Sequence, residues 1–176
     1  MWPDACPDTF KVKFACSHGD FVIECHKDWA PIGVEHFYGL VKAGFYDGAR
    51  FFRVIPGFMA QFGLPADPAL NAKLGANIKD DPVKKSNTPG MVTYAKTGMP
   101  NSRSTQLFIN TGNNARLDAD GFAPFAQVIE GLDVVRKINP EYSERPNQGM
   151  IRAQGNAYLE QMFPKLDYIK RAVLVD

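Results

Sequence analysis

Short segments rich in β-branched and aromatic residues recur along most of the chain, and they constrain its fold more than any other feature. Gly, Pro and Asn punctuate the connections between them. Runs of this length and spacing are typical of antiparallel barrels and sandwiches. The sequence predicts eight strands, at residues 10–16, 21–26, 50–55, 59–62, 91–95, 106–110, 125–129 and 168–175.

The first two predicted strands alternate apolar and polar residues around a Gly-Asp pair, which is typical of a β-hairpin. We place its two-residue turn at His18 and Gly19, so that Cys16 pairs with Phe21. Under that register Cys16 does not face Cys25, and the chain has an odd number of cysteines. All three cysteines are therefore predicted to be thiols.

Two segments have the pattern of principal helices. In residues 31–43, apolar residues recur at helical spacing, and Pro31 and Gly44 suit the two ends of a helix. Residues 131–138 form the second segment, and a further short helix is predicted at 156–162. The connection 63–90 is polar and shows no periodicity. Its charge cluster, Asp80-Asp81 and Lys84-Lys85, is interpreted as a solvated loop, with a binding role as the alternative.

Length and charge exclude several classes of protein. A chain of 176 residues, 45% of them hydrophobic, can bury one sizeable core, so we predict one domain over residues 10–176 after an extension at 1–9. With 20 basic and 19 acidic side chains, no long-range field favours nucleic acid or an anionic membrane. No apolar run reaches bilayer length. We expect a cytoplasmic monomer, or an exported protein if a leader is missing.

Familiar catalytic motifs are absent from the sequence. There is no G-x-S-x-G, H-E-x-x-H, P-loop or G-x-G-x-x-G pattern, and the cysteines lack metal-ligand spacing. We therefore predict no metal and no cofactor.

One arginine and one glutamine stand among apolar residues in the segment 52–63. Arg53 and Gln61 lie on either side of the pair Pro56-Gly57. An arginine keeps its charge, so its donors need a carboxylate, a carbonyl or a ligand. The simplest interpretation is an arginine whose stem packs on apolar residues while its head reaches water. A ligand is the alternative.

Rotation about an X-Pro peptide bond needs neither a nucleophile nor a metal. Its barrier is about 18–20 kcal/mol, and no covalent bond breaks. An apolar pocket can hold the proline ring while a cation donates to the prolyl nitrogen, which regains its lone pair as the amide twists. Because that interaction strengthens in the transition state, it accelerates the rotation.

The segment 52–63 resembles the signature segment of the cyclophilins, which are peptidyl-prolyl cis-trans isomerases that assist protein folding. Two further matches follow in the same order, at residues 91–109 and 116–131, and the resemblance covers residues 10–175. It implies a mainly β fold, a closed eight-stranded antiparallel barrel with two principal flanking helices. It also implies that the partners are proline-containing polypeptides.

The resemblance assigns roles to nine residues. Arg53 is the expected catalytic cation, and Gln61 is expected to hold it or the substrate backbone. The expected substrate-binding residues are Phe58, Met59, Ala95, Gln106, Phe108, Leu117 and Phe122. For the apolar members, ordinary core packing is the alternative.

Three residues at the rim of the expected cleft depart from the family's pattern. Arg116 replaces a frequent tryptophan, Lys96 replaces an asparagine, and Phe122 stands where histidine or tyrosine is common. We therefore expect isomerase activity with weak cyclosporin binding. A proline-segment binding module or assembly factor with incidental catalysis is the second interpretation, although such a module would not need Arg53.

Overall fold

The computed structural model describes residues 5–175, and its main feature is one antiparallel sheet of eight strands. The strands are β1 Thr9–Cys16, β2 Gly19–His26, β3 Arg53–Ile55, β4 Met59–Phe62, β5 Met91–Tyr94, β6 Leu107–Asn110, β7 Pro124–Glu130 and β8 Ile169–Val175. Their order in the sheet is β3-β4-β6-β5-β7-β2-β1-β8. The predicted mainly β, antiparallel fold is confirmed.

The sheet curls so that its first and last strands approach each other, but β3 and β8 do not form a continuous ladder. An isolated bridge joins Arg50 to Tyr168, and the amide nitrogen of Phe51 donates to the carbonyl of Asp167 at 3.0 Å. "Closed" is therefore slightly too strong a description of the barrel. β1 begins at Thr9, one residue inside the predicted extension, and residues 1–4 of that extension lie outside the described residues.

Helices cover the sheet more widely than the sequence predicted. They are α1 Pro31–Lys42, α2 Pro68–Leu74, α3 Leu132–Arg136, α4 Gln148–Gln154 and α5 Asn156–Met162, with a 3-10 helix at Ala115–Asp120. The predicted second principal helix, 131–138, is only the five-residue α3. None of the described helices has the length and apolar character needed to cross a membrane.

Helix α1 packs on the sheet through the residues whose spacing predicted it. Val34, Phe37, Leu40 and Val41 are buried, and the rings of Phe37 and Phe125 on β7 lie 5.1 Å apart. The barrel interior is aromatic. Phe62 contacts Phe14 and Phe51 there, with ring centroids 5.7 and 5.2 Å apart.

The connection 63–90 is anchored rather than solvated at Asp81, which corrects the loop interpretation. Asp81 is buried and accepts from the first amides of α1, Ile32 at 3.1 Å and Gly33 at 2.8 Å. Arg103 donates to the same carboxylate at 3.0 Å, and both side chains are almost fully buried. Ala30, at the start of α1, provides no side-chain cap, so Asp81 provides one from a distant segment.

The register of the first hairpin differs from the prediction. Cys16 pairs with Gly19, so the turn lies at Ser17 and His18 and not one residue later. Gly19 has a φ of 139°, a conformation that glycine adopts without strain. Cys6, Cys16 and Cys25 are free thiols, as predicted.

Candidate active site

Sheet register brings the predicted catalytic residues together on the outer face of the barrel. Arg53 on β3 pairs with Gln61 on β4, and Gln61 pairs with Phe108 on β6. Residues paired across strands point to the same face, and so does Met59, two residues from Gln61. The alternate residues, Val54, Ala60, Phe62, Leu107 and Ile109, belong to the interior core. The row Arg53-Gln61-Phe108 therefore lines the outside of the sheet.

An apolar pocket lies beside this row. Phe58 and Met59 come from the β3–β4 hairpin, and Leu117 and Phe122 from the 3-10 helix and the residue after its cap. Phe122 meets the buried Phe108 edge to face, with ring centroids 5.8 Å apart. These side chains form the wall of a recess of the kind that holds a small apolar ring.

Buried amides hold the segments of this pocket in place. Asn114 donates to the carbonyl of Phe58 at 2.8 Å, and Asn87 donates to the carbonyl of Phe122 at 2.9 Å. Asn110 lies between them, accepting from Asn114 at 2.8 Å and donating to Asn87 at 3.2 Å. Sequence reasoning missed all three asparagines, because nothing in an isolated Asn indicates that its amide will be buried.

Asp118 fixes the 3-10 helix to the same network. Its carboxylate accepts from the Ser86 hydroxyl at 2.5 Å and from the backbone and side chain of Asn87 at 2.9 and 2.8 Å. Burial by itself raises the pKa of Asp118, but these hydrogen bonds outweigh burial and lower the pKa below its ordinary value. The charged form of Asp118 therefore stabilises the pocket wall.

A directional chain of side-chain hydrogen bonds starts at Arg53. Its Nη1 donates to Oε1 of Gln61 at 3.3 Å, Gln61 Nε2 donates to Gln106 at 2.8 Å, and Gln106 Nε2 donates to Gln148 on α4 at 3.2 Å. At the other side of the guanidinium, Nε donates to the exposed Glu144 at 2.9 Å. Two of the five guanidinium donors are thus engaged, which leaves three for a ligand.

The cleft that contains this row has a volume of about 710 Å³. All nine residues predicted for the site line it: Arg53, Phe58, Met59, Gln61, Ala95, Gln106, Phe108, Leu117 and Phe122. Ala95 is tied to the same strand edge, because its amide donates to the carbonyl of Gln106 at 2.9 Å. Their catalytic and binding roles remain predictions, whereas their common location is a property of the fold.

Several lining residues could not be found from the sequence. Gln148 and Arg152 lie on α4, and Asn71 lies on α2. Both helices have recognisable caps: Asp67 accepts from Ala69 at 3.0 Å, and Asn147 accepts from Met150 at 3.0 Å. Asp67 and Asn147 were therefore the sequence signals that could have predicted where these two helices begin.

Titratable groups are sparse in the cleft. Among the described residues that line it there is no carboxylate, histidine or cysteine. His18 and His36 lie elsewhere, and burial lowers the pKa of each. Within residues 5–175, no cluster of His, Cys, Asp and Glu has the arrangement of a metal site. The cleft can therefore offer shape, amide dipoles and fixed cations.

Comparison with known proteins defines the class. Residues 11–154 match the family described as cyclophilin type peptidyl-prolyl cis-trans isomerase/CLD. Peptidyl-prolyl cis-trans isomerase B of Escherichia coli is 34% identical over 177 residues, which covers 93% of this chain and 98% of the relative. A peptidyl-prolyl cis-trans isomerase of Acinetobacter baylyi is 38% identical over 132 residues, covering 72% of this chain and 70% of that protein.

Solved structures agree on the fold. A cyclophilin type isomerase of Cryptosporidium parvum superposes with a TM-score of 0.72 at 20% identity, covering 96% of this chain and 98% of its own. A second crystal structure with that name, obtained in the presence of the dipeptide Ala-Pro, has a TM-score of 0.71, with 94% and 99% covered. The chain belongs to the cyclophilin type peptidyl-prolyl cis-trans isomerase family. The enzyme class predicted from the sequence is confirmed at the level of this family.

Proposed function

We propose that the cleft accelerates rotation about X-Pro bonds of polypeptides by holding the proline ring in the apolar pocket and donating from Arg53 to the twisting amide. The pocket formed by Phe58, Met59, Phe108, Leu117 and Phe122 fixes the ring. Once the ring is held, the preceding residue rotates in the open part of the cleft. No proton is transferred and no covalent intermediate forms.

Arg53 acts on the prolyl nitrogen. In the planar amide this nitrogen shares its lone pair with the carbonyl, and at the twisted transition state the lone pair becomes available as an acceptor. A donor placed beside it binds the transition state more tightly than the ground state. Gln61 orients the guanidinium through Nη1 and keeps its own amide engaged with Gln106.

The observation that carries the proposal is the cross-strand pair of Arg53 and Gln61 next to the apolar pocket in one cleft. Arg53 retains three donors beyond those used by Gln61 and Glu144. A module that only bound proline segments would need the pocket and not this cation. Isomerisation is therefore favoured over the binding-module alternative.

Proline-containing segments of proteins are the proposed substrates. The presence of Ala-Pro in the crystals of a structural neighbour supports an X-Pro ligand in this fold. We also propose weak cyclosporin binding, because Lys96 and Arg116 put charges on the rings of Phe122 and Phe58 at the pocket. A monomer is proposed because the exposed large apolar side chains, such as Ile32, Met99 and Met162, lie on separate elements.

The test is the cis-trans exchange rate of a short X-Pro peptide, measured by NMR exchange or by a protease-coupled assay. We expect the protein at catalytic concentration to raise the rate well above the uncatalysed rate, whose time constant is tens of seconds. Binding of the peptide without any rise in exchange would favour the binding module instead.

A further inference from the structure

The charged side chains that line the cleft are of one sign. Arg53, Lys96 and Arg152 are the charged residues among those described as lining it, and Arg116 stands at its edge with its guanidinium 5.3 Å from the ring centroid of Phe58. This local excess contrasts with the whole chain, whose net charge is only +1.

Two of these cations lie directly on rings of the proline pocket. The Lys96 ammonium is 4.5 Å from the centroid of Phe122, and the Arg116 guanidinium stacks on Phe58 in the same manner. A cation over a ring face keeps most of its hydrogen-bond donors free. Lys96 and Arg116 are therefore held next to the pocket while still able to bind an anion.

Three of the four cations form no ion pair within the described part of the chain. Arg53 is paired with Glu144, but Lys96, Arg116 and Arg152 have no ion pair among residues 5–175. The nearby acids have other partners.

The partners of two of those acids are backbone and side-chain donors. Asp118 accepts from Ser86 and Asn87, and Asp80 accepts from the amide nitrogen of Asn101 at 3.0 Å. These carboxylates keep their charge but are held by other donors, so Lys96, Arg116 and Arg152 are the cations at the cleft that form no ion pair among residues 5–175.

Building on the proposed isomerase function, we propose that the enzyme selects X-Pro bonds flanked by acidic residues. A glutamate or aspartate next to the proline meets Lys96 and Arg116 when the ring occupies its pocket. An acidic residue further along the segment meets Arg152 on α4. Lysine or arginine in the same places is repelled. The preference is electrostatic and exposed to solvent, so it weakens as salt is added.

The test uses three peptides that are identical except for Glu, Gln or Lys beside the proline. One series varies the residue that precedes the proline, and a second series varies the residue that follows it. The value of kcat/KM is normalised to the uncatalysed rate of each peptide, and the affinity of each is measured separately by fluorescence anisotropy. At low salt we expect about threefold between Glu and Gln and about threefold between Gln and Lys, since an exposed charge pair contributes that much.

The matched variants are Lys96→Gln, Arg116→Gln and Arg152→Gln, singly and combined, with Lys170→Gln as control. Lys170 is exposed on β8 and does not line the cleft, and its replacement changes the net charge by the same one unit as each single variant. The Glu-to-Lys ratio of one enzyme on two peptides does not depend on the amount of folded protein. We expect the combined variant to lose the preference for the Glu peptide and Lys170→Gln to keep it. Lys96→Arg, which retains the positive charge, should show the preference that Lys96→Gln weakens.

If the Glu and Lys peptides have equal rates and affinities while the Gln peptide is accelerated, the proposed charge preference is wrong. The proposed isomerase activity is supported by that same result. A preference that survives in the combined variant overturns the assignment to these three residues. Preferential binding of the Glu peptide with no acceleration of any peptide supports the preference and refutes the isomerase.

Discussion

Replacing Arg53 tests whether its free donors carry the rate enhancement. In Arg53→Ala, the prolyl nitrogen loses the guanidinium donor that Gln61 positions, while the five pocket residues remain. Loss of one preorganised donor to a transition state costs about 2.7–4 kcal/mol, so we expect kcat/KM to fall by about 10²–10³-fold. Peptide affinity should fall much less, because the ground-state nitrogen accepts poorly.

Stability should hardly change in this variant. The ion pair of Arg53 with Glu144 is exposed, with 33% and 59% of the two side chains accessible, and such pairs contribute at most about 1 kcal/mol. Gln61 keeps its hydrogen bond to Gln106 and can accept from water in the cleft instead of from Arg53. A loss of activity therefore reports on catalysis and not on unfolding, and thermal denaturation provides the check.

Arg53→Lys is the matched control for charge. A lysine keeps the positive charge but has a single nitrogen. That nitrogen cannot reproduce the fork of the guanidinium, which contacts Gln61, Glu144 and the substrate through different nitrogens. We expect Lys to recover only a small part of the lost rate. If Arg53→Ala isomerises an X-Pro peptide at close to the wild-type rate in the NMR exchange assay, Arg53 is not the catalytic cation and the proposed mechanism is wrong.

Four other outcomes follow from the structure. The isomerisation rate should be nearly independent of pH between roughly 6 and 9, because the described residues that line the cleft include no carboxylate, histidine or cysteine; a bell-shaped pH profile of kcat/KM on folded protein would contradict this. Cyclosporin should inhibit weakly and Arg116→Trp should strengthen inhibition about thirtyfold, since an aromatic anchor contributes about 2 kcal/mol; nanomolar inhibition of the wild type would disprove it. Asp118→Ala should lower the free energy of unfolding by about 2 kcal/mol at neutral pH. Because the folded pKa of Asp118 is lowered, the part of that difference that comes from its ionisation is fully present above the unfolded pKa and is lost as pH falls through the folded pKa, and denaturant melts at several pH values measure this change. Arg103→Met should cost about 3–5 kcal/mol in the same melts, because it leaves Asp81 buried without its cation; a loss below about 1 kcal/mol would show that the pair is unimportant.

The strands were predictable because their apolar residues alternate or cluster over the lengths that strands require. Helix α1 was predictable for the same reason, since its four spaced apolar residues are the ones it buries. Helix α2 has no fully buried residue, and Leu70 and Leu74 are its only large apolar residues at helical spacing, packed partly buried on the core. Its hydrophobic signal is therefore weak beside its Asp67 cap and Pro68. The hairpin turn was misplaced by one residue, because both His18-Gly19 and Ser17-His18 satisfy the local preference.

The site was predictable as a set of residues through the resemblance, but its organisation was not. Gln106 joins Gln61, which lies 45 residues earlier, to Gln148, which lies 42 residues later, and no local pattern encodes such contacts. At Asp81, by contrast, the local sequence did give a prediction, and that prediction was wrong. Its neighbours Asp80, Lys84 and Lys85 are exposed, and the local composition therefore predicted solvent where the fold provides a helix cap and a buried cation.

The arrangement around Arg53 explains why an arginine, and neither a lysine nor a titrating acid, suits this chemistry. The donor must be in place before the amide twists, because any reorganisation during rotation would add to the barrier. Gln61 and Glu144 engage two donors and thereby hold the guanidinium, and the other three donors have no hydrogen-bond partner among the described residues. Since Gln61 is neutral, it orients the cation without cancelling its charge, and Glu144 is exposed, where solvent screens its effect. In the proposed mechanism, Gln61 therefore preorganises the guanidinium through its amide dipole, and the positive charge remains available to the prolyl nitrogen.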